Sequence, residues 1–387
     1  MSQRPNAEML VIAGEVSGDM HAARLVRALQ QRRPEWRFFG IGGPELRAAG
    51  VETAYDIADM AVMGLSEVLR RLAFFRRVFY EMLAWVERRR PAAVLLVDYP
   101  GFNLRFAERV HALGVKTIYY VCPQVWAWNR RRIPRMAQSL DRLIAIFPFE
   151  PALFAGTGLR VDFAGHPLVD EAAAVWREPE ADLPWGGRPR VALLPGSRAH
   201  EIRRLLPAMW RAAALVERAH PGASFLLAAP TAAAARTLRE QAARLGPGPA
   251  RWDVAAGQTR QVLRQAAAAW VASGTATIEA ALMRCPLVVV YRVAWPTYAL
   301  AKPLIRIPHI GMVNVLAGRA LCPELLQRQA TPKALARAIA PLLTDTPARS
   351  AMLAGLREVA AGLGPGGAAE RAAAAVLAEV EGDAPTS

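Results

Sequence analysis

Asp98 is the residue of this sequence best placed for acid–base chemistry. It ends the apolar run Ala93–Val97 and is followed by Tyr99-Pro100-Gly101-Phe102-Asn103. At the carboxyl tip of a central strand, partial burial keeps a carboxylate basic enough to take a proton from a hydroxyl. An aspartate at such a place also simply caps the next turn. His21, in the first turn of the first expected helix, is a rival base, although a single histidine near a helix start is usually a surface residue.

The remaining chemistry is anion binding. Leu194-Pro195-Gly196-Ser197-Arg198 closes an apolar strand and opens a long helix carrying Glu201 in its first turn. A glycine turn there presents backbone N–H groups and the positive end of the helix dipole, which suits a phosphate. Arg198 adds a planar charged fork, and the same pattern also describes a plain turn with a surface arginine. A second loop, Ser273-Gly274-Thr275-Ala276-Thr277, precedes Glu279. Ser273 and Thr275 can donate to a phosphate or cap the helix, and Glu279 can accept from ribose hydroxyls.

The opening glycine turn, Gly14-Glu15-Val16-Ser17-Gly18-Asp19, lacks the GxGxxG spacing of a dinucleotide site, but its helix end can hold an anionic group. Gly40–Gly43 is a further tight turn. No DxD and no His/Cys cluster of metal-ligand spacing occurs, so neither a metal nor another cofactor is expected.

These residues need strands to end at the right places. Short apolar runs alternate with glycine turns and amphipathic stretches, the mark of βα units in a parallel sheet. Strands are expected at 9–13, 37–41, 93–97, 117–121, 142–147 and 160–163, and again at 190–194, 223–228, 269–272 and 286–291. Helices are expected at 20–31, 78–89 and 104–113. The Pro- and Gly-rich stretch 178–190 reads as a linker. The expected organisation is therefore an α/β domain over 1–177, the linker, a second over 191–345, and a helical tail over 346–387. Two doubly wound sheets make a cleft lined by the carboxyl ends of strands, where ligands bind in such folds.

With 387 residues, 53% hydrophobic and 21% charged, the chain can bury two cores and is not a disordered polyelectrolyte. The formal charge is +15, almost all from arginine, since the lysines are Lys116, Lys302 and Lys333 alone. That favours an acidic partner: nucleic acid, an anionic membrane or a phosphorylated substrate. An Ala- and Arg-rich composition also follows from genome base content. Three scattered cysteines, Cys122, Cys285 and Cys322, suggest reduced thiols and a cytosolic protein. The apolar stretch at 9–13 reads as a strand, not an export signal, and no stretch is long enough to span a bilayer, so membrane contact would be peripheral. The stretch 63–90 is basic and amphipathic; Leu69, Leu72, Phe74, Phe75, Arg76 and Arg77 are its expected membrane or acyl contacts, while a face packed in the core is the favoured reading of its later part.

Together these pieces resemble the lipid-A-disaccharide synthase family. The resemblance is carried in order by Ala13–Asp19, Gly40–Pro44, Met63–Leu69, Pro123–Trp128, Gly165-His166-Pro167, Leu193–Arg198, Ala272–Thr275 and Asn314–Arg319. Gly101 and Cys122 depart from it, where the family more often has a larger polar residue and a serine. The resemblance implies a GT-B fold of two Rossmann-like domains. It implies an inverting, metal-independent transfer from UDP-2,3-diacylglucosamine to 2,3-diacylglucosamine 1-phosphate, giving the lipid A disaccharide 1-phosphate and UDP.

Arg198 and the Ser273–Thr277 loop (Ser273, Gly274, Thr275, Thr277) would then hold the donor diphosphate, with Glu279 near the ribose and Glu201 among the substrate-binding residues. Asp98 would act as base, and Glu15, Ser17 and Asn314 would orient sugar or phosphate groups. The implied setting is the cytoplasmic face of an anionic inner membrane, with a homodimer allowed and no nucleic acid. A UDP-N-acetylglucosamine 2-epimerase-like isomerase would surround its sugar with more carboxylates and histidines than occur here. A nucleic-acid binder would interleave its arginines with exposed aromatics. The lipid-linked muropeptide transferase, nearest in plan, carries a histidine in its N-terminal glycine loop that Gly14–Asp19 lacks.

Overall fold

The computed structural model describes residues 7–60, 71–293 and 308–382. The chain forms two compact units, the first from residues up to Pro167 together with those from Gly364 on, the second from Leu168–Leu363.

In the first unit β1 (Glu8–Ala13), α1 (Val16–Arg32), β2 (Arg37–Gly42), α2 (Pro44–Ala48), β3 (Glu52–Asp56), α3 (Leu72–Arg89), β4 (Ala93–Val97), α4 (Pro100–Ala112), β5 (Lys116–Tyr120), β6 (Arg142–Ala145) and β7 (Arg160–Phe163) follow in turn. Their parallel sheet has the order β3-β2-β1-β4-β5-β6-β7. A strand covered on both faces reads as an unbroken apolar run, and every residue of β4, Ala-Val-Leu-Leu-Val, is fully buried. Chain order reverses between β1 and β4, and the register Ala13↔Val97 brings the residues after both strands to one edge. Ligands of open α/β sheets bind at such a point.

The second unit repeats the plan. It contains α5 (Leu168–Arg177), β8 (Arg190–Leu194), α6 (Ala199–Ala219), β9 (Ser224–Ala229), α7 (Ala232–Arg244), β10 (Trp252–Ala256), α8 (Thr259–Gln265), β11 (Ala268–Ala272), α9 (Ala276–Leu282), β12 (Leu287–Tyr291), α10 (Met312–Ala317), β13 (Glu324–Leu326) and α11 (Pro347–Gly362). Its parallel sheet has the order β10-β9-β8-β11-β12-β13, with the reversal between β8 and β11. Among the described residues, β3, β10 and β13 are strands that the periodicity did not predict. All three lie at sheet edges, where half-exposed, partly polar sequences replace apolar runs.

The units part elsewhere than the expected boundaries. Helix α5 packs in the second unit, where Trp176 donates to the Leu282 carbonyl (3.1 Å) and stacks under Arg264 and Arg284. The stretch 178–190 is bound to the same unit: Gln265 donates to the Ala181 carbonyl (2.7 Å) and accepts from Trp185 (3.0 Å). The tail divides, because α12 (Ala368–Glu381) belongs to the first unit. Its Glu379 is nearly buried and meets Lys116 (2.8 Å), Arg142 (3.2 Å) and Arg160 (3.5 Å).

Candidate active site

At the reversal point of the first unit, β1 runs into Gly14-Glu15 and α1, and β4 runs into Asp98-Tyr99 and α4. The two ends are in contact. A Cβ on Gly14 would lie 2.4 Å from the Tyr99 ring, and one on Gly18 would lie 4.0 Å from Asp98 Cβ. Glycine is what lets α1 start against this turn.

Asp98 and Tyr99 have φ of 49° and 51°, consecutive left-handed residues with side chains, and Val121 at the end of β5 has φ 69°. Such conformations cost on the order of 1–3 kcal/mol each and persist only where the surroundings enforce them. Here Asn103 donates to the Asp98 carbonyl (2.8 Å), as does the Tyr119 hydroxyl, and the Asp98 amide donates to the Tyr120 carbonyl (3.0 Å). Burial, and after it the charge of Glu15, push the Asp98 carboxyl up to about 6, against the pull of the Tyr99 amide. A carboxyl raised in this way is basic enough to take a proton from a hydroxyl.

Glu15 and Ser17 are exposed at the start of α1, and the Glu15 charge reaches Asp98. Asp19 has a different task. Its buried carboxylate accepts from the amides of Gly43 (2.7 Å), Glu45 (3.0 Å) and Leu46 (3.2 Å), tying the Gly14–Asp19 turn to the Gly40–Gly43 turn. His21 lies half-buried beside His166, whose imidazole is driven down to about 3, first by burial and then by the His21 charge.

In the second unit the loops after β8 and β11 stand side by side, with the register Val271↔Leu194. The loop after β8 is closed on itself: Glu201 accepts from the amides of Ser197 (3.1 Å) and Arg198 (3.2 Å) and pairs with the Arg198 guanidinium (3.4 Å). Gly196, at φ 110°, leaves room for this, since a Cβ there would lie 2.4 Å from the Glu201 carboxylate. A carboxylate thus sits on the N–H groups that an anion would use.

In the loop after β11, two of the expected hydroxyl donors are used internally. Ser273 donates to the Ile310 carbonyl (2.9 Å), and Thr277, fully buried, donates to the Gly274 carbonyl (2.8 Å). Gly274 and Thr275 are exposed, and among the described residues their amides have no protein acceptor.

Glu279 lies behind this loop in a group that no motif announced. Arg260 of α8 pairs with it (3.0 Å) and with Glu171 of α5. Burial raises the Glu279 pKa, Arg260 lowers it and Glu171 raises it further, the net direction being upward. A cavity of about 460 Å³ opens beside it, lined by Glu178, Pro230, Gly257, Thr259, Arg260 and Glu279 among others. It lies past the carboxyl ends of β9 and β10.

Asn314 does not join this surface. It is fully buried; its amide donates to the Cys322 carbonyl (2.8 Å) and to Glu324 (2.8 Å), and its oxygen accepts from the Cys322 amide (2.8 Å). With both amide donors and its oxygen engaged in the protein, it braces the segment before β13.

On α3, Leu72, Arg76 and Arg77 are exposed, whereas Phe74 and Phe75 are half-buried against the core of the first unit. Arg71 and Arg77 stack on Phe74 at 4.8 and 5.6 Å. The exposed stripe of the helix is therefore Leu72, Arg76 and Tyr80, one turn apart, rather than the two phenylalanines. Leu69 lies outside the described residues. No described helix is long and apolar enough to cross a membrane, and no group of three or more metal-ligating side chains occurs among the described residues.

Two doubly wound sheets, each with charged and N–H-bearing turns at its reversal point, define a protein of the GT-B class. Solved structures agree on the fold: the UDP-GlcNAc 2-epimerase of Neisseria meningitidis (TM-score 0.62, 11% identity, 96% of this chain and 99% of that one) and MurG of Acinetobacter baumannii (TM-score 0.57, 14% identity, 96% and 99%). CalG4, the calicheamicin glycosyltransferase, shares it too (TM-score 0.59, 19% identity, 100% of both chains), so an epimerase and a glycosyltransferase have the same fold and the fold alone leaves the reaction open.

Sequence decides. The family described as Lipid-A-disaccharide synthetase matches residues 9–376. The chain is 42% identical over 389 residues to the lipid-A-disaccharide synthase of Anaeromyxobacter dehalogenans strain 2CP-C, covering 97% of this chain and 98% of that one. It is 39% identical over 380 residues to that of Geobacter metallireducens, with the same coverage. The chain belongs to the lipid-A-disaccharide synthetase family and is a glycosyltransferase.

Proposed function

We propose that this enzyme transfers the 2,3-diacylglucosaminyl group of its UDP-linked donor to the 6-hydroxyl of 2,3-diacylglucosamine 1-phosphate, with inversion, releasing UDP. The observation that carries the reading is the family match across residues 9–376, which takes in the reversal points of both sheets. Asp98 would take the hydroxyl proton as the oxygen bonds to the anomeric carbon and the bond from that carbon to the diphosphate oxygen breaks. The leaving diphosphate keeps the electron pair. Arg198, the Gly274 and Thr275 amides and the start of α6 would stabilise its charge without a metal.

The diphosphate would displace Glu201 from the Ser197 and Arg198 amides. The cavity beside Glu279 has room for a nucleoside, with Glu279 accepting from its ribose. Glu15 and Ser17 would orient the acceptor. The Leu72–Arg76–Tyr80 stripe supports contact with an anionic membrane surface. Three buried free cysteines support a reducing compartment, the cytoplasm.

The test is UDP release by purified enzyme given the donor with and without the acceptor, in detergent and EDTA, beside Asp98→Ala. Acceptor-dependent release that survives EDTA and is lost in the variant is expected. Release that persists in the variant moves the base elsewhere, and no release from either protein ends the transferase reading.

A further inference from the structure

The polar groups around Asp98 converge on its backbone rather than on its carboxylate. Asn103, one turn into α4, is fully buried among apolar neighbours. Besides the Asp98 carbonyl, its Nδ2 reaches the carbonyls of Val97 (3.3 Å) and Ile12 (3.5 Å). One side-chain amide therefore spans the ends of β4 and β1, the strands that deliver Asp98 and Glu15. Its Oδ1 accepts no hydrogen bond from a described residue. A buried polar atom left unsatisfied is costly, so the amide is kept for its donor.

Tyr119 is likewise fully buried in the apolar core, yet its hydroxyl ends on the same Asp98 carbonyl. Burial raises its phenol well above the ordinary value, so it stays a donor wherever the enzyme works. Phenylalanine and leucine would fill these two places in the core; only donors hold the carbonyl between two left-handed residues.

Resting on the reading of Asp98 as the base, we propose that Asn103 and Tyr119 are positioning residues that lock the left-handed turn at Asp98–Tyr99 and so fix the Asp98 carboxyl for proton transfer. Neither touches substrate. Without them the turn relaxes toward ordinary backbone, the carboxyl leaves its half-buried place beside the start of α1, and the loss falls on the chemical step. A base displaced by about 1 Å loses on the order of a hundredfold in rate.

The experiment compares Tyr119→Phe and Asn103→Leu with the parent enzyme for kcat, donor KM, the pH profile of kcat/KM and the melting temperature, each in the native and the Asp98→Asn background. For Tyr119→Phe the expected result is a roughly tenfold to hundredfold lower kcat. The donor KM should stay within about twofold, because uniform binding is untouched. The acid limb of the profile should move below the pH of about 6 set by the parent carboxyl, and no further loss should occur in the Asp98→Asn background. Among the described residues, Glu15 and Tyr119 are the titratable groups whose charge couples to that carboxyl.

Parent-like kcat and acid limb in Tyr119→Phe overturn the proposal, as does an equal loss in both backgrounds. Should Asn103→Leu fail to fold, Tyr119→Phe decides alone, since it keeps the ring. Parent-like kcat in Asp98→Asn itself is a separate outcome that removes the base reading.

Discussion

The same doubly wound plan is used twice in this chain, and the two reversal points are built from different materials. In the first unit a carboxylate stands on a left-handed turn held by buried side chains from α4 and β5. In the second, the turns offer backbone N–H groups, and one pair is already covered by the chain's own carboxylate. The first arrangement suits a group whose position and basicity matter to a proton in flight. The second suits charge that arrives and departs, since N–H groups and an arginine fork lose little by exchanging one anion for another.

The comparison breaks most sharply at Asp98. Asp98→Asn should lower transfer by about a hundredfold to ten-thousandfold, leave UDP affinity unchanged in calorimetry, and abolish the acid limb near pH 6. A carboxyl proposed as the base would act when deprotonated, so parent activity should rise with pH through about 6 and then level. Arg198→Ala should come next, with kcat down by on the order of a hundredfold and UDP binding weakened, because it removes charge stabilisation from the leaving group.

Glu201→Gln should act in the opposite direction. A neutral amide competes less well for the Ser197 and Arg198 N–H groups, and UDP should bind several-fold tighter, at a stability cost of about 1 kcal/mol from the weakened helix start. Equal or weaker binding would show that the carboxylate is not a stand-in for phosphate.

A last effect is on stability alone. Glu150 is fully buried in the first unit, with its Oε2 accepting from the amides of Ile146 (3.2 Å) and Phe147 (3.0 Å). Burial pushes its carboxyl up to about 7 from 4.5. It binds its proton more tightly when folded, so the stability this gives is present below pH 4.5 and lost as pH rises through about 7. Glu150→Gln should flatten that part of the melting-temperature profile, an effect of at most roughly 3 kcal/mol.

How much of this was legible in the sequence depended on whether position along the chain carried the information. Ala93–Val97 and Arg190–Leu194 are strands buried on both faces, and their ends locate Asp98 and the Arg198 turn directly. Edge strands such as Glu52–Asp56 share their pattern with loops. Residue type suggests Ser273 and Thr277 as ligands, and the resemblance alone suggests Asn314, but where a donor goes is decided by three-dimensional neighbours. The Glu171–Arg260–Glu279 group comes from α5, α8 and α9, segments with no shared motif. Nor could an alanine-rich tail announce that Glu379 belongs with Lys116 and Arg142.

That last pairing sets an order of events during synthesis. Arg142 is almost completely buried, and among the described residues up to Pro167 its acidic partner is Asp162 (2.9 Å). Burying a guanidinium that is short of partners is costly. Residues 168–363, one uninterrupted stretch, form a unit of which α12 is not part. Vectorial translation thus inverts the order of the units: the half that emerges first is completed last, when the final helix brings Glu379 back to it.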